Sequence, residues 1–297
     1  MVRLTIRLVL MAVVAVGVTV SGFLQDPPPM PTSQKAGYFV LAGDFHVHSF
    51  PGDGGLPPWE IAREAARRRL DVVALTNHNS MLSSRLAHLL GLPGRGALLI
   101  PSQELTAVGY HLAAVGIDGL VDWRQSIPQA VAAIHARGGV AIGAHPGGRF
   151  HERMFDAPAL SALDGIEAAH PSMLWPGRMR TEIAGTHARA LEQNPDIATI
   201  GSSDFHHFAP IGVCRTYLFA KSRAREGVLE AVRAGRTVAC DGHGETYGPP
   251  DLAPLVTDEC RAASTDPPAG ASSIDTISTL GVWFGLLGLV LVGAREG

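Results

Sequence analysis

The stretch Gly43-Asp44-Phe45-His46-Val47-His48-Ser49, with Asp53 close behind it, constrains this chain more than any other. On a β-strand alternate side chains share a face, so His46 and His48 project the same way. One strand end then offers two nitrogen ligands to a single metal ion. Asp53 lies just beyond, in Pro51-Gly52-Asp53-Gly54-Gly55, where the glycines let the backbone fold back over the strand end.

The two ends of the chain read differently from its middle. The sequence opens Met1-Val2-Arg3-Leu4-Thr5-Ile6-Arg7 and then runs apolar to Leu24, so residues 1–24 are expected to be a signal peptide or an uncleaved signal anchor. Residues 25–37 form a stiff, Pro-rich linker. A second apolar run, 277–294, is about 27 Å long as a helix and is expected to span a membrane, after a Pro/Ser/Ala-rich linker at 243–276. Arg3, Arg7 and Arg295 favour the cytoplasmic side, which predicts a membrane-anchored protein whose middle domain, 38–242, lies outside. That domain is long enough for one large core. The 297-residue chain has a formal net charge of −3 and no basic block, so no nucleic-acid partner is expected. Of three cysteines, Cys214 and Cys240 lie in strand-like runs, either as buried thiols or as one bridge, and the odd count leaves at least one thiol unpaired.

Within the middle domain strands and helices alternate. Strands are expected at Tyr38 to His48, Asp71 to Thr76, Ala97 to Leu105, Gly109 to Ile117, Gly139 to Ala144, Asp164 to Ala169, Ile197 to Ser203, Val213 to Phe219 and Thr237 to Cys240. Helices are expected from Pro57-Pro58 to Arg69, from Ser80 to Leu90, from Ser126 to Arg137, from about Pro176 to Gln193 and from Ser222 to Ala234. The alternation predicts a parallel sheet with helices outside, closed or nearly closed into a barrel.

The polar clusters follow strands, at the edge where α/β barrels place their chemistry. In chain order they supply His46, His48, Asp53, His78, Glu104, His111, His145, Asp204 and His206. Nine imidazoles and carboxylates at one rim would repel or desolvate one another without cations, and mixed nitrogen and oxygen ligands suit Zn²⁺, Mn²⁺ or Fe²⁺. His207 is a candidate to protonate a leaving group or touch substrate. Arg149, after His145-Pro146-Gly147-Gly148, is a candidate to hold an anion bidentately. His170 ends a strand on the same rim, Glu167 lies just before it, and Asp44 is read as a local hydrogen-bonding group. His135 and His243 are read as bystanders.

These motifs together resemble the PHP superfamily (polymerase and histidinol phosphatase domains): His46-x-His48 with Asp53, Thr76-Asn77-His78-Asn79, Glu104, Ala144-His145-Pro146 and Ser203-Asp204-Phe205-His206. The match covers about residues 40 to 242. The Gly-Asp-x-His-x-His-Ser opening looks most like the carbaryl-hydrolase-like branch. The resemblance implies a distorted (β/α)7 barrel with two or three divalent metals, one held by His46, His48, Glu104 and Asp204. A second would take Asp53, His78 and His206; Glu104 would bridge to a third with His111 and His145. It departs from the family at Asn77, where Thr-Asp-His is commoner, and in the short spacing from Glu104 to His111.

The function implied is metal-dependent hydrolysis of a small-molecule phosphoester, with Asp204, His206, His207 and Arg149 as the catalytic candidates. A metal-bridging hydroxide would be the nucleophile, because bound cations lower the pKa of water to about 7. Carbamate, ester or amide cleavage on the same site is the alternative chemistry, and a non-catalytic, membrane-displayed metal-binding domain is the alternative class. A barrel of the amidohydrolase type with a carboxylated lysine is excluded, since the only lysines are Lys35 and Lys221.

Overall fold

The computed structural model describes residues 2–22, 33–92, 96–147, 154–174, 177–207, 209–265 and 273–293. In chain order its elements are α1 (Val2–Gly22), β1 (Ser33–Lys35), β2 (Tyr38–Val47), α2 (Pro58–Arg67), β3 (Val72–Leu75), α3 (Leu82–Leu89), β4 (Leu98–Ala107) and β5 (Tyr110–Val115). There follow α4 (Ile127–His135), β6 (Val140–Gly143), α5 (Ala157–Ala162), β7 (Gly165–Ala169), α6 (Arg178–Gln193), β8 (Ala198–Gly201), β9 (Arg215–Ala220) and α7 (Arg225–Arg233). The last are β10 (Thr237–Cys240), β11 (Thr246–Tyr247), α8 (Thr257–Thr265) and α9 (Ser273–Gly293). The chain divides into two units, residues 29–267 and a pair of terminal segments, 1–28 with 268–297.

The larger unit is a nearly closed barrel. Its sheet runs β11-β10-β9-β2-β3-β4-β5-β6-β7-β8, with β1 paired to β2 outside that path. The ends meet beyond β8, where Phe205 forms a parallel bridge to Val47 and accepts the His48 N–H at 2.9 Å. A parallel sheet was expected, and the structure shows a mixed one. β2, β3 and β4 are parallel and so are β6, β7 and β8, but β5 is antiparallel to both its neighbours. The reason is the short Ala107–Tyr110 connection, which leaves room only for a hairpin, not a crossover helix. β9, β10 and β11 also run antiparallel, as an appendage along β2.

Small and branched apolar residues fill the barrel: Leu41, Phe45, Val72, Ala74, Ile100, Ile142 and Ile200 share one buried cluster, with Val228 and Val232 of α7 packed into it. A second cluster lies under α4, α5 and α6, where Ile127, Ile134, Leu160 and Ala190 meet Leu112 and Ile166. α2 begins where proline is tolerated, with Pro58 in its first turn, and buries Ile61, Ala62 and Ala65 at helical spacing. Gln129 accepts the Ser126 N–H to close a capping box on α4. α5, capped by Asp156 through the Ala159 N–H, was not foreseen; at six residues it is too short to show a period.

The segments flanking the barrel depart in part from the sequence reading. The stretch 243–276 is not simply linker: β11, a 3₁₀ turn at Ala253–Val256 and α8 fold onto the barrel, with Val256 and Cys260 buried. The bridge is Cys240–Cys260, not Cys214–Cys240, and Cys214 is a buried free thiol. Among the described residues no helix is long and apolar enough to cross a membrane. Leu10 and Val14 of α1 pack on Gly285 of α9, within the smaller unit. Of the residues 25–37 expected as linker, 33–35 form β1 and 25–32 lie outside the described residues.

Candidate metal centre

The pocket at the barrel mouth begins with an irregularity in β2. Asp44 opposes Val73, but Val47 already opposes Leu75, so β2 carries one extra residue between them. Such a bulge re-aims the side chains around it. Phe45 therefore joins the interior cluster while its neighbour His46 also reaches inward, to Glu104 on β4 and Glu167 on β7. His48 follows two residues on, its Nε2 3.1 Å from that of His46.

Asp53 is returned to the strand end by the turn after Ser49. Gly54 lies so close to His48 that a Cβ there would fall 2.1 Å from the His48 carbonyl. Asn77 clamps the same turn, accepting the Ser49 N–H at 2.9 Å and donating to the Ser49 and Pro51 carbonyls at 2.7 and 2.9 Å. Asp53 Oδ1 then faces His48 Nδ1 at 3.1 Å, and Oδ2 faces His78 Nε2 at 3.1 Å and His206 Nε2 at 3.2 Å.

Glu104 stands at the centre, fully buried. Its Oε1 meets His111 Nδ1 at 2.7 Å, and His46 and His145 Nε2 each at 3.4 Å; its Oε2 meets His78 Nδ1 at 2.5 Å and His48 Nε2 at 3.4 Å. His111 reaches it because β5 is reversed. It stands at the start of that strand, not the end, opposite Thr106 and beside the register pair Glu104–Ala113. Asp204 closes the far side, its Oδ1 3.3 Å from Nε2 of both His46 and His48. His145 and Asp204 hold positive φ values of 27° and 47°, an uncommon backbone for such residues and one that clusters at functional sites.

Among the described residues four overlapping groups present ligand atoms within 4.8 Å of one another: His48, Asp53, His78 and His206; His46, His145 and Asp204; His46, His48 and Glu104; and His78, Glu104 and His111. All nine residues singled out by sequence thus converge. The grouping differs from the one the family resemblance implies: His145 sides with His46 and Asp204, and His111 with His78. His207 is exposed, packs over Gly55 and joins none of the four groups. Arg149 lies outside the described residues. Lys221 is exposed and pairs with Glu230, away from the pocket.

Three residues do more here than sequence suggested. Asp44, read as a local group, accepts N–H groups from Ser203 at 3.0 Å and Gly212 at 2.7 Å, across the barrel seam. Burial pushes its carboxyl up to about 6 against those bonds. Glu167 holds His46 and the His145 backbone. His170 stands with Nε2 3.4 Å from Asp204 Oδ2 and Nδ1 on Ser172. Of the three only His170 follows a strand; Asp44 and Glu167 lie within β2 and β7, where sequence offered no signal of these contacts.

The electrostatics fit cations. Burial disfavours the charged form of His46, yet the carboxylates of Asp204, Glu104 and Glu167 outweigh it and hold the imidazole well above its usual value. Burial likewise opposes ionisation of Glu104 and Asp204, and the surrounding imidazoles, His46 foremost, hold both far below the ordinary carboxylate range. His48 is pushed down by burial, with His46 adding to the effect. Among the described residues both oxygens of Glu104 and Oδ1 of Asp204 are buried without a well-directed hydrogen bond. Buried acceptors left so are costly, and a cation among these nitrogens and oxygens satisfies them. The residues present therefore fit divalent metal.

No family model and no curated protein matches the chain. Solved structures do. A two-domain protein from Bacteroides vulgatus, containing a predicted PHP-like metal-dependent phosphoesterase, superposes with a TM-score of 0.60 at 23% identity, over 79% of this chain and 74% of that one. An amidohydrolase from Chromobacterium violaceum with bound sulfate matches at 19% identity over 74% and 96% of the two chains, TM-score 0.45. A lesion-specific endonuclease from Pyrococcus furiosus matches at 14% identity over 68% and 59%, TM-score 0.45. At such identities the first of these shows a shared fold, the nearly closed α/β barrel described above.

Proposed function

We propose that this chain is a metal-dependent hydrolase of the PHP superfamily that cleaves small-molecule phosphoesters, nearest in its opening motif to the carbaryl-hydrolase-like branch. The observation that carries this reading is the convergence on one pocket of nine ligand-type side chains spread along the chain from His46 to His206. His46, His48, Glu104, His145 and Asp204 form the inner part of the centre; Asp53, His78 and His206 the outer part; His111 joins Glu104 beside His78. Two or three divalent ions, Zn²⁺, Mn²⁺ or Fe²⁺, would supply Lewis-acid polarisation of the ester and activation of a water molecule as nucleophile.

The chain's own residues divide the remaining work by depth. His46, His48 and Glu104 are fully buried, whereas the side chains of Asp53, His78 and His206 are 46%, 35% and 28% exposed. Substrate enters on that exposed side. His207, beside His206 and open to solvent, delivers the proton to the leaving oxygen. Arg149 holds the anionic group of the substrate, as a guanidinium does best. The Cys240–Cys260 disulfide supports an oxidising, extracytoplasmic location for the domain.

The test is to purify the full chain, measure its metal content, and assay a generic phosphodiester, a phosphomonoester, a carbamate and an amide. The reading expects bound divalent metal and phosphoester turnover that Asp204→Ala abolishes. Turnover of the carbamate or amide alone would move the chemistry to the carbonyl group. Metal-loaded protein that cleaves none of the four would leave a binding domain.

A further inference from the structure

Glu167, in β7, is fully buried and belongs to none of the four ligand groups. Both of its oxygens are engaged. Oε1 lies 2.9 Å from Nδ1 of His46, and Oε2 accepts the backbone N–H of His145 at 2.6 Å. Those two residues come from different strand ends, β2 and β6, and with Asp204 they make up one ligand group. One carboxylate therefore ties together two of the three members of that group, from a third strand.

Each tie has a consequence for coordination. An imidazole binds a cation through one nitrogen only if the other carries the proton, and the partner of that second nitrogen decides which is which. A carboxylate on Nδ1 of His46 keeps the proton there and leaves Nε2 bare. Nε2 is the atom that faces His48, Glu104 and Asp204. At His145 the backbone has a φ of 27°, which costs energy unless something holds it. The bond to Glu167 is such a hold, and it keeps the His145 ring turned into the pocket.

We propose that Glu167 is a positioning residue for the inner cation: it fixes the His46 tautomer and the His145 backbone, and so makes one of the bound ions tightly retained. The inference rests on the metal centre of the hydrolase reading. Glu167 itself touches neither cation nor substrate.

Glu167→Gln is the informative variant. Its amide oxygen can still accept from His46, but its NH₂ group then confronts the His145 N–H, so one of the two ties is lost. Zn²⁺ and Mn²⁺ binding to the full-length chain is titrated against a chromophoric chelator, with metal content after dialysis as a second readout. The expected result is that one equivalent weakens by about 10–100-fold while the others bind as in the wild type. A variant that binds every equivalent with wild-type affinity would overturn the role of Glu167 and leave the hydrolase reading intact. A wild-type chain that binds no cation would overturn both. A second measurement does not depend on the variant folding. In the Zn²⁺-loaded wild type labelled with ¹⁵N-histidine, His46 is expected to carry its proton on Nδ1, and a proton on Nε2 would sink the proposal.

Discussion

Asn77 shows how one residue supports a metal ligand without being one. The resembled family more often has aspartate at this position. Here the amide is used as both acceptor and donor, taking the Ser49 N–H and giving to the Ser49 and Pro51 carbonyls, with its side chain almost fully buried. An aspartate would turn the two donations into oxygen–oxygen approaches and bury a charge. Asn77→Asp is therefore expected to destabilise the metal-free fold by about 2–4 kcal/mol, read as a lower midpoint in urea unfolding. It is also expected to weaken cation binding, because the clamped turn carries Asp53. An unchanged midpoint would show that the turn holds itself. The nine ligand-type residues were legible in the sequence because metal chemistry restricts their type, and most of them stand at or just after a strand's C-terminal end; His111, at the start of β5, is the exception. Glu167 was visible only as a carboxylate near the rim. Its partners lie 121 and 22 positions away, and no local pattern records a pairing at such distances.

At the scale of elements, the sequence pattern located all nine strands and five helices it proposed, because apolar runs and caps are local signals. Direction was less legible. β5 follows β4 after so short a turn that it must reverse, and the reversal is what delivers His111 to Glu104. The segment after β10 was misread because its apolar content is too low to hold it down unaided: Pro249, Pro250 and Asp251 dominate its start, and α8 buries only Cys260. The Cys240–Cys260 bridge supplies what the apolar content lacks, joining the end of β10 to α8 across 20 positions. Closing a loop of that size restricts the unfolded chain by about 3 kcal/mol. Cys260→Ser, or reduction of the wild type, is expected to lower stability by about that amount, measured by urea unfolding with and without reductant. Metal content should survive, since none of the nine ligand-type residues lies on that segment. Loss of bound metal on reduction would show that the extension does more than stabilise.

For the barrel as a whole, the decisive place is the seam where it closes. His46 and His48 come from its first barrel strand and Asp204 and His206 from just after its last, so the site exists only if those ends stay together. Backbone pairing across the seam is sparse: His48 donates to Phe205 at 2.9 Å, and Phe205 to His46 at 3.4 Å. Side chains add the rest. Asp44 takes the Ser203 and Gly212 N–H groups, and Thr216 of β9 both accepts the Gly201 N–H and donates to the Gly201 carbonyl, each at 2.9 Å. Gly201 is needed for so close an approach, since a Cβ there would fall 2.3 Å from the Arg215 carbonyl oxygen. Thr216→Val keeps the shape and removes both bonds, leaving buried groups without partners. The expected cost is about 2–4 kcal/mol, with weaker cation binding because the distance from His46 and His48 to Asp204 is no longer enforced. Thr237→Val on the adjacent β10 is the matched control. Its hydroxyl is buried with no hydrogen-bond partner among the described residues, so removing it is expected to be neutral or stabilising. Urea midpoints and metal content of the two variants, measured side by side, separate a seam held by one hydroxyl from a general sensitivity of buried threonines. Equal losses in both would refute the seam account.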